Sequence, residues 1–459
     1  MNGEKVKKIT GSEQLLLLKP KGMFTWDMWE PVVRFSILVF GITIIAIALK
    51  QNMLFHWEFY QMGSQASLVF KYMLFFSSLI FVSSLAFRTY LWFRYRAYDS
   101  ALVDNWPDIT VVIPAYNESE IIFKTISSIA GSNYPLEKLS IIGIDDGSTD
   151  DTYFHMKKAA DKYPDLVELI TFPKNQGKRK ALYQAYKKAR TPIIITVDSD
   201  TRLDPNAIRE IISPLILNEK IGAVTGRIKI WNSSANLFTK MLNAHFAMAF
   251  DFTRAVQSTF SSVFCLSGAF AAYRSEVLHQ VLEKWLNQKF LNQSCTYGED
   301  RSLTNHILRS GFGTFYQRKA YAYTIIPVQL QNILKMLTRW ARSNIRESII
   351  FSGFMLSEKR RGNRILPFLE FFSTVSLLIL HFIWFYYFLF SGFIDTHLVF
   401  RILAYSILFG FFYMLYYLRI EGKRDFPYVL IFSIFSSVFT IWIFTTAGLT
   451  ITKKSWSTR

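Results

Sequence analysis

The sequence is poor in cysteine: Cys265 and Cys295 are its only two in 459 residues. Two thiols exclude a disulfide framework, and no CxxC or Cys/His spacing supports a zinc site. Both are expected to be reduced and buried or half-buried. Acidic residues are also short, 34 against 52 lysines and arginines, which leaves a net charge of +18. In a soluble chain that excess points to nucleic acid. Here it accompanies 51% hydrophobic and 17% aromatic residues, with 43 Phe. The basic residues are therefore expected to flank membrane spans and face anionic lipid, with a basic groove for an anionic substrate as the remainder. No nucleic-acid partner is expected. The opening MNGEKVKK is charged and no small-residue cleavage site follows an early apolar run, so no removable signal peptide is expected.

What is present divides into three. Apolar runs at 32–49 and 72–87, then at 366–390, 402–418 and 428–449, each approach the ~20 residues that span a bilayer, which predicts five spans. Lysine and arginine place the amino terminus, the whole middle and the loop RIEGKRDF on the cytoplasmic side; only the short tail ITKKSWSTR opposes this. The expected organisation is an amino-terminal region 1–100 with two spans, a cytosolic domain 101–328, amphipathic interfacial helices over 329–364, and spans over 365–459.

The middle has the texture of an α/β domain. Strand-like runs ITVVIP, LSIIGID, VELITF, PIIITVD and IGAVTG alternate with helical stretches such as SEIIFKTISSIA and KRKALYQAYKKA. That alternation predicts a mainly parallel sheet with its chemistry at the carboxyl ends of the strands, and the acidic motifs fall there. TVDSDTRLD ends a strand with Asp198 and Asp200, whose alternation points both carboxylates to one side. Two such groups beside a diphosphate suit a Mg2+ or Mn2+ ion that bridges protein to phosphate. A lone D-x-D is more often a solvated turn after a buried strand, since turns favour Asp.

Its company matters. PAYNES and DDGSTDDT follow the first two strands, with Asp145 and Asp146 at a strand end and Gly147 permitting a sharp turn. In KNQGKRKAL, Lys178 and Arg179 present cations at a helix start, suited to phosphate oxygens, although a plain basic helix has the same composition. In CTYGEDRSLTNHIL the pair Glu299 and Asp300 opens a helix, where acids are ordinary first-turn residues and where one carboxylate is also placed to take a proton.

Together VVIPAYNE, DDGSTD, GKR, VDSDT, SGAFAAYR, GEDR and RWARS, in this order, resemble the processive membrane glycosyltransferases of family 2, the group of hyaluronan, chitin and cellulose synthases and rhizobial chitooligosaccharide synthases. FDFTRAVQSTFSSVFCLSGAFAAYR and the Leu-Thr-Asn after the acidic pair are similar to the hyaluronan synthases; RWARSNIRES and the Glu of GED look more like the chitooligosaccharide enzymes.

The resemblance implies an α/β fold, a GT-A-type, Rossmann-like glycosyltransferase domain on the cytosolic side, embedded between helical transmembrane segments of a plasma (inner) membrane protein. It implies a UDP-sugar donor bound by Pro114, Tyr116, Glu118, Asp145, Asp146, Lys178, Arg179 and Asp198. The metal, Mg2+ or Mn2+, falls to Asp198 and Asp200. Asp300 matches the general base, with Glu299 and Arg301 beside it. Ser267, Gly268, Arg339 and Trp340 match the acceptor site for a growing polysaccharide, the tryptophan as its floor. The implied product is a GlcNAc-containing chain, hyaluronan from UDP-GlcNAc and UDP-GlcA, with two alternatives: a chitin-type chain from UDP-GlcNAc alone, and a single transfer to a membrane lipid. Two positions depart from the pattern: Met336 stands where the family has Gln, and Ala269 where hyaluronan synthases carry Pro.

Overall fold

The computed structural model describes residues 26–51, 64–358, 360, 363–392, 396–422 and 425–453. The opening MNGEKVKK, Lys423 and Arg424 of the basic loop, and the tail from 454 onward lie outside the described residues.

Helices α1 (Trp26–Lys50) and α2 (Ser64–Arg94) come first. Then β1 (Ile109–Ala115), α3 (Ile121–Ala130), β2 (Leu139–Asp145), α4 (Thr152–Lys162), β3 (Val167–Thr171), α5 (Lys178–Lys188), β4 (Ile193–Val197), β5 (Thr201–Leu203), α6 (Ala207–Leu217) and β6 (Ile221–Ile230) follow in turn. Next, α7 (Leu237–Phe246) runs through a π-helical turn (Ala247–Thr253) into the short α8 (Arg254–Ser258). β7 (Phe270–Arg274), α9 (Ser275–Leu286), the hairpin β8 (Lys289–Phe290) and β9 (Gln293–Ser294), α10 (Glu299–Arg309) and β10 (Gly313–Thr324) complete the domain. Four long helices end the described chain: α11 (Leu330–Ser352), α12 (Ile365–Gly392), α13 (Thr396–Glu421) and α14 (Tyr428–Leu449).

The five runs read as strands all are strands, within one eight-stranded sheet of order β3-β2-β1-β4-β7-β6-β10-β5. β1, β2, β3 and β4 pair in parallel, and every residue of β1 and β4 is buried, as a strand covered on both faces requires. Each fully buried Ile or Val there contributes about 1.5–3 kcal/mol. The sheet is more mixed than the sequence suggests, because β7 runs antiparallel to both β4 and β6 and β5 antiparallel to β10. This reversal has a functional effect. It brings the amino end of β7, Phe270, opposite Val197 at the carboxyl end of β4, so the loop entering β7 lies beside Asp198.

Among the described residues five helical segments are long and apolar enough to cross a membrane: Pro31–Lys50, Phe75–Arg94, Ile365–Ile383, Phe400–Glu421 and Tyr428–Leu449. Each overlaps one of the five stretches read from the sequence, the second reaching further toward Arg94.

The segment KMLTRWARSNIRES is helical throughout. It lies in the single 23-residue helix α11, packed between the domain and α14. Arg346 is only 2% exposed and Glu347 only 3%. Arg346 Nε donates to Glu347 Oε1 at 2.8 Å and its Nη2 donates to the Tyr297 carbonyl, while Arg342 Nε donates to Thr450 Oγ1 at 2.9 Å. These arginines have protein partners to bond, so they are not left to water or lipid headgroups.

Candidate active site

Three parallel strands, β2, β1 and β4, end at one edge of the sheet, and the order reverses between β1 and its two neighbours, the place where open α/β sheets bind ligands. Turns at that edge are built for their positions. Gly147 has φ +70, and a Cβ there would lie 2.5 Å from the Lys174 carbonyl carbon, so only glycine fits. Asp145 accepts from Ser148 N at 3.0 Å. Asp146 accepts from Gln176 N at 2.7 Å and Gly177 N at 2.8 Å, which ties the loop before α5 to the end of β2. Burial raises the Asp146 carboxyl above its ordinary value, against the pull of those two amides. Glu118 N and Ser119 N both donate to Thr152 Oγ1, at 2.7 and 2.9 Å, and so fix the turn that carries Tyr116 and Glu118 beyond buried Pro114.

At the head of α5 the basic pair separates. Lys178 faces the edge: its Nζ donates to Asp198 Oδ1 at 2.5 Å and lies 3.3 Å from Glu299 Oε1. Burial works against the ammonium, but Asp198 and Glu299 outweigh it and hold the Lys178 pKa above its ordinary value. Gly268 completes this corner, since a Cβ on it would stand 3.3 Å from Lys178 Nζ and 3.7 Å from Asp198 Oδ1. Its neighbour Ser267 is held by a hydrogen bond from its N–H to Thr225 Oγ1 at 3.1 Å. Arg179 points elsewhere. It is buried, donates from Nη1 to the Trp285 carbonyl at 2.7 Å, and lies 5.1 Å over the Trp285 ring. Among the described residues it pins α9 and makes no hydrogen bond to Lys178, Asp198 or Glu299.

Asp200 accepts from Thr324 Oγ1 at 3.2 Å, which links the turn after β4 to the end of β10. Among the described residues no group of three or more His, Cys, Asp or Glu side chains gathers as a metal cage. The donors present are two hard carboxylates, Asp198 and Asp200, the first already bonded to a cation at Lys178. That set fits Mg2+ or Mn2+, which takes one or two carboxylates and fills its shell with phosphate oxygens and water.

Gly298, at φ +70, opens α10 and presents Glu299 and Asp300. A side chain at 298 would collide with Ser343 Oγ and come within 2.9 Å of Arg346 Nη2, so α10 begins flush against α11. Behind it Glu347 accepts from Gln288 Nε2 and Asn305 Nδ2, both at 3.0 Å, and Arg301 Nη1 donates to Asn344 Oδ1 at 3.2 Å. The two carboxyls of the pair are driven apart. Burial opposes ionisation of Glu299, but Lys178, backbone donors and Arg339 prevail and hold it below the ordinary carboxylate value. Burial, and then the charge of Glu299, push Asp300 above its own. Two neighbouring acids with opposed shifts are the signature of divided roles.

Asp300 accepts from Arg301 N at 2.8 Å and from Cys265 Sγ at 3.6 Å. The thiol is pushed up to about 11 by burial and by Asp300, so it stays protonated and donates. The sequence identifies Cys265 only as a buried or half-buried thiol; its contact arises because Leu266 N donates to Thr304 Oγ1 at 3.0 Å and Thr304 donates on to the Asp300 carbonyl at 2.7 Å. Trp340 packs on Phe246 of α7, with ring centroids 5.9 Å apart. Met336 is 5% exposed within the core, so its position supplies packing and no polar contact. Ala269 is likewise buried.

Residues 107–343 match the family described as "Glycosyltransferase like family 2", more than half of the chain. A hyaluronan synthase of Streptococcus pyogenes is 35% identical over 254 residues, 54% of this chain and 60% of its own. An N-acetylglucosaminyltransferase of Mesorhizobium japonicum is 33% identical over 249 residues, 53% of this chain and 58% of its own. The similarity thus spans about three fifths of the curated relatives' length. Among solved structures, a mannosyltransferase from Pyrobaculum calidifontis, in complex with GDP-Man and Mn2+, is 17% identical with a TM-score of 0.51, over 79% of this chain and 97% of its own, a likeness of fold. With its mixed sheet, its acidic strand ends and this match, the chain belongs to glycosyltransferase family 2 and has a GT-A-like fold.

Proposed function

We propose that the chain is a membrane-embedded, processive, inverting hexosyltransferase that polymerises UDP-sugars into a GlcNAc-containing polysaccharide and extrudes it across the membrane. The product is hyaluronan, made from UDP-GlcNAc and UDP-GlcA. The observation that carries this reading is the placement of Asp300 at the head of α10, one residue from Glu299, whose partner Lys178 also holds Asp198. A donor diphosphate at Lys178 would lie at the corner shared with Glu299, the residue beside Asp300.

The chemistry is a single displacement. Asp300 accepts the proton of an acceptor hydroxyl, that oxygen forms a bond to the anomeric carbon, and the bond to the UDP oxygen breaks with inversion. Lys178 neutralises the departing diphosphate. A Mg2+ or Mn2+ ion held by Asp198 and Asp200 would supply further positive charge at the same phosphates. Pro114, Tyr116, Glu118, Asp145 and Asp146 shape the uridine side, and Asp146 acts through the loop it ties down. Arg179 keeps α9 in place. Arg339, Trp340, Ser267 and Gly268 take the acceptor; an indole face stacks on a pyranose without demanding one hydroxyl pattern, which permits sliding.

The organisation follows: two spans before residue 100, a cytoplasmic domain to about 328, the α11 segment to 364, and three spans after it, in a plasma (inner) membrane. The lipid bilayer is the second partner, and the spans enclose the polymer because sugar hydroxyls cannot be left unsatisfied in hydrocarbon.

A second reading, a chitin-type synthase using UDP-GlcNAc alone, is favoured by the reach of Glu299 to Lys178 together with the 33% identity to the N-acetylglucosaminyltransferase. Donor dependence separates the two. Polymer formed only when UDP-GlcNAc and UDP-GlcA are both supplied supports hyaluronan, polymer from UDP-GlcNAc alone supports the second reading, and short or lipid-linked products alone would overturn both.

A further inference from the structure

A buried carboxylate that the chemistry does not use lies in the π-helical turn. Asp251 is 1% exposed and receives a bidentate contact from Arg318, with Nε at 2.7 Å and Nη2 at 2.6 Å. Tyr316 Oη donates to it at 3.1 Å, Trp92 Nε1 of α2 at 3.4 Å, and Arg227 Nη1 stands 3.6 Å away. Arg227 continues outward. Its Nη2 donates to Glu421 Oε1 at 2.6 Å and to the Ile420 carbonyl at 3.0 Å, and Lys229 Nζ reaches Glu421 Oε2 at 2.8 Å, at the end of α13. One turn is thereby bolted to β6, β10, α2 and α13.

The same turn touches both halves of the proposed site. On one side Phe246 lies under Trp340, and Phe250 stacks on Phe246 with centroids 4.9 Å apart and planes 23° apart. On the other side Arg254, 3.7 Å over the Phe250 ring, donates from Nε to the Cys265 carbonyl at 3.0 Å, and Cys265 in turn contacts Asp300. A single stretch of nine residues, 246–254, links acceptor floor to base. A π turn widens the helix and strains its packing, and such turns concentrate at functional positions.

We infer that Asp251 is a positioning residue for the acceptor: it clamps the π-helical turn between the sheet and α13, so that Trp340 and Asp300 keep one spacing while the polymer advances. Asp251 touches neither substrate, and its effect passes through Phe246 and Arg254. The inference rests on the polymerase reading above.

The test uses the full-length protein in lipid, with Asp251→Asn and Glu421→Gln measured beside the unaltered chain. Three quantities are read: the rate of UDP release, the KM for UDP-GlcNAc, and product length. Both variants should shorten the product, Asp251→Asn by about tenfold, as a small displacement of reacting groups does, while the UDP-GlcNAc KM stays within about twofold. A merely structural role lowers UDP release in proportion to folded protein and leaves product length alone; that result overturns the inference. Unchanged length in both variants overturns it as well. If Asp251→Asn fails to fold, since it takes the charge partner from half-buried Arg318 and leaves Arg227 to Glu421 alone, Glu421→Gln decides. No UDP release or polymer from the unaltered chain would instead contradict the polymerase reading itself.

Discussion

Lys178 holds Asp198 at 2.5 Å and lies 3.3 Å from Glu299, so one ammonium joins the strand end that would carry the metal to the helix that would carry the base. The two acidic motifs are far apart in sequence and meet on this cation. Substituting it removes both the diphosphate's countercharge and the bond that orders the corner. Lys178→Met should lower kcat for UDP release by about 100- to 1000-fold, the range for loss of one preorganised charge. Lys178→Arg should restore little, because a planar guanidinium does not reproduce the point charge that meets Asp198 and Glu299 together.

The pH profile follows from the split of the acidic pair. Asp300 must be ionised to accept a proton, so activity falls as pH drops through its pKa, which burial and Glu299 raise. The acid limb of kcat/KM therefore lies above the ordinary carboxylate range. Glu299→Gln removes the neighbouring negative charge, lowers the Asp300 pKa and moves that limb to lower pH. A limb that stays in place in the variant would assign it to another group.

Gly298→Ala tests the junction of α10 and α11. The left-handed backbone alone costs about 1 kcal/mol for a residue with a Cβ, and the added methyl collides with Ser343 Oγ and crowds Arg346. Activity should fall by more than tenfold, about what 1.4 kcal/mol implies. Pairing it with Ser343→Gly should recover part of the loss, measured as UDP release.

Much of this was legible beforehand, for identifiable reasons. The β1, β2 and β4 strands are short runs rich in Ile and Val that lead into Pro or Asp, and composition places them. β7 reads only FAAYR, and β10 interleaves Arg, Lys and Gln with aromatics across two register shifts, so neither carries a clean period of two. Lys178, Asp198, Glu299 and Asp300 converge as their motifs suggest. Arg179 and Arg346 do not behave as their basic context implies, since a guanidinium next to a carbonyl and an indole is indistinguishable in sequence from one next to a phosphate. The π-helical turn at 247–253 leaves no periodic trace, which is why Asp251 and Arg254 emerge only in three dimensions.

The buried pair behind the site is a stability element. Glu347→Leu strands the Arg346 charge among buried groups and should cost about 3–5 kcal/mol, read as faster thermal inactivation. Arg346→Met combined with Glu347→Leu removes both charges and should be closer to the unaltered chain than the single variant. Equal losses in the two would show that the pair's hydrogen bonds to Tyr297, Gln288 and Asn305 matter more than its charge balance.

The most direct test of the central claim uses the purified full-length protein in lipid with Mn2+ or Mg2+. UDP release and product size are followed with UDP-GlcNAc alone, UDP-GlcA alone and both together, for the unaltered chain and for Asp300→Asn. A long polymer that appears only with both donors, and that Asp300→Asn abolishes, is the predicted result. Polymer that persists in Asp300→Asn, or products no longer than a few sugars under every condition, would contradict it.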